Sequence, residues 1–177
     1  MTPLDTQFQE LDQFEDRVPR EFLEQWLRDT ALPFDQLQEF VRFHPEHYLR
    51  NLVHGGPAYH VLLLCWRNGQ RSPIHDHIGS GCGVKVLQGT ATETVFDRAP
   101  NGMIFATRSR FLTADTVCAT EDADIHQISN LQAEGDLVTL HVYSPPLMRM
   151  NVYSLDDRRV KMIDDPINAE FTSGAGI

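Results

Sequence analysis

Apolar positions in the first part of the chain recur at helical spacing. Leu23, Trp26 and Leu27 follow Phe22 at one, four and five positions, behind a proline at 19. Proline suits a helix start, because the N–H it lacks would be unpaired there anyway. Pro33 opens a second unit with Phe34, Leu37, Phe40 and Val41 on one face, and residues 45–50 form a third short stretch behind Pro45. Residues 1–55 are therefore expected to be helical and to pack on a core. From Ala58 the period shortens. Tyr59–Trp66 is a run of apolar, β-branched and aromatic residues that predicts a buried strand. Residues 82–87 and 90–96 flank Gln88-Gly89, a strand–turn–strand signal, and residues 104–112 and 137–143 alternate. The pattern predicts a mainly β domain, a barrel or jelly roll over 56–160, with N-terminal α-helices packed on one side. The tail over 161–177 carries turn residues and reads as extended at first, then frayed. No linker composition interrupts the chain, so 1–177 is read as one domain.

Composition narrows the function classes. The chain has 177 residues, 41% of them hydrophobic and 23% charged, enough for a sizeable core. A formal net charge of −10 argues against nucleic acid, which needs a basic face. The first residues show no positive segment followed by an apolar one, and no run approaches the length of a membrane span. Cys65, Cys82 and Cys118 are too few, and odd in number, for a disulfide framework. A cytoplasmic location is the expectation.

Candidate chemistry begins at Pro73-Ile74-His75-Asp76-His77. On an extended segment residues two apart point the same way, so His75 and His77 project together and Asp76 away. Two imidazoles so placed can share a transition metal, though such a pair is equally at home on a surface. The frame is more specific. Gly69 stands six before His75, Cys82 five after His77 and Gly89 seven beyond Cys82, and His126-Gln127-Ile128-Ser129-Asn130 follows later. This pattern resembles the two motifs of the cupin superfamily, with two departures. Cys82 replaces the usual Glu ligand, and Glu121-Asp122-Ala123 replaces the Pro-x-Gly before the second-motif histidine. Three histidines remain as metal ligands: His75, His77 and His126. In residues 138–146, Val138, Leu140 and Val142 share one face, and Thr139, His141 and Tyr143 the other.

With Tyr48-Leu49-Arg50-Asn51-Leu52, Leu64-Cys65-Trp66, Lys85-Val86-Leu87-Gln88-Gly89 and Tyr143-Ser144-Pro145-Pro146, the chain resembles the cysteine dioxygenases over 48–146. The resemblance implies one Fe(2+) per chain on His75, His77 and His126, and Arg50 pairing with the substrate carboxylate. It implies a thioether cross-link between Cys82 and Tyr143, with His141 supporting Tyr143 and the carboxylate end of the site. Thr139 stands for a serine that hydrogen-bonds His141, and the Ser144–Pro145 peptide is expected to be cis. The implied activity is oxidation of the L-cysteine thiol by O2 to the sulfinate, a step of cysteine catabolism. The partners are then a small thiol and O2, with neither nucleic acid nor membrane. Elementary chemistry agrees: three neutral imidazoles leave positions for thiolate, amine and dioxygen, and a guanidinium fork matches a carboxylate. Two other readings compete. A 3-mercaptopropionate dioxygenase typically carries Gln at position 50 and Gly at position 82. A non-catalytic metal-binding cupin gives no reason for Arg50 or for Cys82 with Tyr143.

Cys65 and Cys118 read as structural, and Asp76 as a turn or surface carboxylate. Trp66 and Tyr48 read as core or pocket-wall residues, with Met150 near the substrate entrance. His44, His47, His54 and His60 carry no motif spacing and no assigned role.

Overall fold

The computed structural model describes residues 3–30, 32, 34–121 and 124–165. Pro33, Asp122, Ala123 and the Thr-Ser-Gly-Ala-Gly-Ile end lie outside the described residues. Two helices, α1 (Pro3–Asp12) and α2 (Arg20–Asp29), and a 3₁₀ helix (Phe34–Phe40) precede eleven strands among the described residues. These are β1 (Leu49–Gly56), β2 (Tyr59–Trp66), β3 (Ile74–His75), β4 (Gly81–Gln88), β5 (Thr90–Arg98) and β6 (Ile104–Thr113). They continue as β7 (Val117–Thr120), β8 (Ile125–Ser129), β9 (Leu137–Ser144), β10 (Arg149–Tyr153) and β11 (Val160–Asp164). One antiparallel sheet runs β1-β2-β9-β4-β7 and the other β11-β10-β3-β8-β5-β6. The fold is mainly β, with N-terminal helices beside it.

The run Tyr59–Trp66 is apolar throughout because both its faces are covered. Val61, Leu63 and Cys65 join Val138, Leu140 and Val142 of β9 in a cluster with Leu23, Trp26 and Leu27 of α2. Leu62, Leu64 and Trp66 face the other way and pack with Cys82, Val84, Val86, Ile128, Tyr143 and Met150. The first cluster glues helices to sheet. The second lines the space between the sheets and surrounds the site. Helix α2 lies on β4 and β7. Its approach is close at Gly83, where a Cβ would sit 2.7 Å from Leu27 Cδ1. Leu27 is fully buried, a placement worth about 1.5–3 kcal/mol.

One expectation changes and two are extended. The helical part does not extend over 1–55: residues 45–48 are bend and coil, and Leu49–Gly56 is a strand paired with β2. The pairing of Arg50 with Leu64 and Leu52 with Leu62 overrides the weak helical spacing of that stretch. The strand–turn–strand at Gln88-Gly89 is present, but its two strands do not pair with each other. β4 and β5 belong to different sheets, and the turn carries the chain across. Gly89 is needed there, with φ of 83° and room for no Cβ against the Asp136 carbonyl 2.8 Å away. Finally, the tail begins extended as expected, with β11 paired along its length with β10, which carries the barrel past 160 to Asp164.

Candidate metal centre and substrate pocket

Pairing in the second sheet assembles the histidines. His75 on β3 stands directly opposite His126 on β8, and His77 follows β3 by two residues. All three are buried, and their ligand-capable nitrogens lie within 4.8 Å of one another. His126 Nε2 is 3.3 Å from His77 Nε2. Outer contacts set the tautomers of two rings. His75 Nδ1 donates to the Pro73 carbonyl at 3.0 Å, and His126 Nδ1 to Glu93 Oε1 at 3.1 Å. Each ring is thereby left with a free Nε2 lone pair, the form a metal ligand needs. His77 Nδ1 is buried without a hydrogen-bond partner. Its ring is held instead edge-on to His126 and Tyr143, at centroid distances of 4.8 and 5.6 Å.

Electrostatics favour the neutral form of His75 and His77. Burial, then the neighbouring His126, brings His75 down to about 3, and burial holds His77 well below its ordinary value. Three imidazoles with converging nitrogens fit a divalent transition metal of the imidazole-preferring kind. Among the described residues no carboxylate or thiol joins this group. Glu93 lies one layer out. Burial alone would raise its carboxyl, but hydrogen bonds from His126 and Arg110 bring it to about 2. Its position in Thr92-Glu93-Thr94 gives no sign in sequence. Only the pairing of β5 with β8 brings it beside His126.

The first sheet supplies the other wall. Cys82 and Tyr143 are direct cross-strand partners on β4 and β9. Burial pushes both the thiol and the phenol above their ordinary values. Tyr143 Oη lies 3.3 Å from His141 Nδ1, and Cys82 Sγ lies 3.9 Å from the same nitrogen. Thr139 Oγ1 lies 3.0 Å from His141 Nε2 and accepts a hydrogen bond from Trp66 Nε1 at 3.1 Å. The indole can only donate, so the threonine hydroxyl hydrogen is free for His141 Nε2. In that arrangement Nδ1 carries the ring proton and donates to the tyrosine oxygen. Burial, then the Arg50 charge, keeps the imidazole neutral. All of β9 is buried: its polar face lines the barrel interior rather than meeting water. The Ser144–Pro145 peptide is cis.

Arg50 reaches this wall from β1, with its guanidinium carbon 5.3 Å from the Tyr143 ring centroid. Sequence reasoning missed its partner. Asp165, just after β11, accepts a hydrogen bond from Arg50 Nη2 at 2.7 Å, and both side chains are 2% exposed. Arg50 Nε is buried with no partner. Nothing near Asp165 in the sequence marks it, because 115 positions separate the pair.

Of the turn and surface readings of Asp76, the surface one is corrected, while Ile78 N donates to its Oδ1 at 3.4 Å as in a local turn. Asp76 is buried and accepts hydrogen bonds from Asn151 N, Asn151 Nδ2 and Tyr153 Oη at 3.1, 3.0 and 2.7 Å, tying the histidine segment to β10. Tyr48 stacks on Trp66 with centroids 3.9 Å apart, and Met150 is fully buried in the same cluster. Cys65 is buried on the helix side, while Cys118 is half-buried on β7. His44 and His47 stack on each other outside the barrel interior, with Glu46 exposed beside them. His54 stacks on Phe8, and His60 pairs across strands with Tyr143.

The family model for cysteine dioxygenase type I matches residues 29–156. Cysteine dioxygenase type 1 of Bos taurus is 36% identical over 113 residues, covering 60% of this chain and 56% of that protein. The protein of the same name in Danio rerio is 34% identical over 122 residues, 65% of this chain and 60% of its own length. The chain thus spans somewhat more than half the length of these relatives. Among solved structures, a Klebsiella pneumoniae protein with a double-stranded beta-helix domain superposes with a TM-score of 0.57 at 17% identity. That superposition covers 71% of this chain and 94% of the other. A cupin-superfamily sugar phosphate isomerase from Silicibacter pomeroyi superposes with a TM-score of 0.51 at 15% identity, covering 66% and 71%. At such identities these two speak for the fold alone.

Proposed function

The chain belongs to the cysteine dioxygenase type I family, and from that premise we propose that it oxidises the thiol of L-cysteine with dioxygen to cysteine sulfinate. The reading places one Fe(II) per chain on His75, His77 and His126. The observation that carries it is a run of buried side-chain contacts from the Arg50 guanidinium through the Tyr143 ring to His77. Arg50 lies against Tyr143, and the Tyr143 ring lies against His77. A carboxylate-bearing thiol has one end for each.

An iron held by His75, His77 and His126 would supply the redox chemistry between thiol and dioxygen. The protein's residues do the rest. Arg50 binds the carboxylate and orients the molecule. The Trp66–Thr139–His141 contacts hold the imidazole so that its Nδ1 proton serves the Tyr143 oxygen, leaving the phenolic hydrogen for a polar group in the pocket. Tyr48, Trp66 and Met150 close the interior to water. Both atoms of O2 enter the sulfinate, two stages up the thiol oxidation ladder. Three unpaired thiols and a thiol substrate suit a reducing cytoplasm. No helix among the described residues is long and apolar enough to cross a membrane.

Arg50 and Cys82 also favour L-cysteine over 3-mercaptopropionate, and the test is product analysis. Iron-loaded protein in labelled dioxygen should yield cysteine sulfinate carrying two label atoms. Disulfide alone as product contradicts the reading.

The same reading includes a thioether between Cys82 Sγ and the Tyr143 ring carbon beside the hydroxyl, formed by loss of two hydrogens to dioxygen. Cross-strand partnership brings the two side chains together, and a linked ring holds its hydroxyl in place. Mass spectrometry after turnover should find a joined peptide lighter by two hydrogens, absent from Cys82→Ala. A Cys82 that remains fully alkylatable after many turnovers rules the link out.

A further inference from the structure

The Arg50–Asp165 pair places a carboxylate of the protein on the group that is to receive a carboxylate of the substrate. We propose that Asp165 is an internal competitor for Arg50, a specificity-setting residue that weakens the hold of the site on carboxylate-bearing thiols. The inference rests on the reading that Arg50 binds the substrate carboxylate.

A guanidinium buried this far from water must have an anion near it, or it is strongly disfavoured. Asp165 meets that need before substrate arrives, with its Oδ2 on Nη2 at 2.7 Å. The contact is built in from both sides. Arg50 sits on β1 in register with Leu64. The Asp165 backbone N–H donates to the Met148 carbonyl at 2.9 Å, fixing the residue against the segment that follows the cis proline. The guanidinium is nevertheless not saturated, because Nε has no partner. A substrate carboxylate can therefore still find a donor. It approaches a cation that is already neutralised, however, and it brings a second anion close to the first. Its Coulombic gain is smaller than a lone Arg would give, and the two carboxylates repel. A thiol without a carboxylate meets no such competition.

Asn in place of Asp165 separates charge from shape, because its amide oxygen can still accept from Nη2. Anaerobic calorimetric titration of the iron-loaded protein reads binding without turnover. In Asp165→Asn the dissociation constant for L-cysteine should fall about ten-fold. That for cysteamine, which lacks the carboxylate, should change by less than roughly two-fold and so reports an intact site. In Arg50→Gln/Asp165→Asn the gain for L-cysteine over Arg50→Gln should vanish. Weaker or unchanged L-cysteine binding in Asp165→Asn overturns the proposal, since Asp165 then only supports Arg50. So does an equal change for both thiols, or loss of both. If the unaltered protein binds neither thiol, the dioxygenase reading falls and this inference falls with it. A protein that binds L-cysteine but consumes no oxygen contradicts the dioxygenase reading alone.

Discussion

His126→Ala is expected to reduce thiol-dependent oxygen consumption to the level of free iron in buffer and to leave the purified protein largely without iron. Two imidazoles hold a divalent ion poorly, and no carboxylate or thiol among the described residues stands ready to replace the third. The substitution also frees Glu93, whose Oε1 now accepts from His126 Nδ1. That carboxylate keeps Arg110 as a partner, so the barrel should survive. Elemental analysis and an oxygen electrode, with circular dichroism as the folding control, make the measurement. Full iron content with full activity contradicts the three-histidine assignment.

Arg50→Gln is expected to act on two quantities at once. Truncating one side of a buried, charged hydrogen bond typically costs about 2–5 kcal/mol of binding. The kcat/KM for L-cysteine should therefore fall by roughly two to three orders of magnitude, while that for cysteamine changes little. The same substitution strands Asp165, now paired at 2.7 Å and 2% exposed. Breaking a buried pair from one side costs about 3–5 kcal/mol of stability, visible as a lower melting temperature. Arg50→Gln/Asp165→Asn should recover much of that stability without recovering L-cysteine turnover. If L-cysteine and cysteamine fall by the same factor in Arg50→Gln, Arg50 is a structural residue.

Legibility in the sequence followed the range of the forces involved. Tyr59–Trp66 and the alternation before Ser144 were readable because strand period and burial are local properties, and β2 and β9 lie where those patterns put them. The spacing of His75 and His77 was readable for the same reason. Leu49–Gly56 was misread as the end of a helical stretch, because its strand state depends on pairing with β2. The Gln88-Gly89 turn was recognised, but not that it joins two different sheets, since closure of the barrel is a property of the whole chain. Glu93 and Asp165 were invisible. Each is an ordinary acidic residue in its own segment, and each gains its meaning only when distant strands bring it beside His126 or Arg50. Asp76 reads from sequence as a turn or surface carboxylate, because neither Asn151 nor Tyr153 is near it in the chain.

Oxygen consumption by the iron-loaded protein, measured side by side with L-cysteine and 3-mercaptopropionate and matched to sulfinate formed, is the most direct test. Arg50 together with Cys82 opposite Tyr143 predicts one O2 consumed per sulfinate formed and a clear preference for L-cysteine. Thiol-independent or absent oxygen uptake in protein that holds its iron contradicts a dioxygenase, and a preference for 3-mercaptopropionate contradicts the substrate.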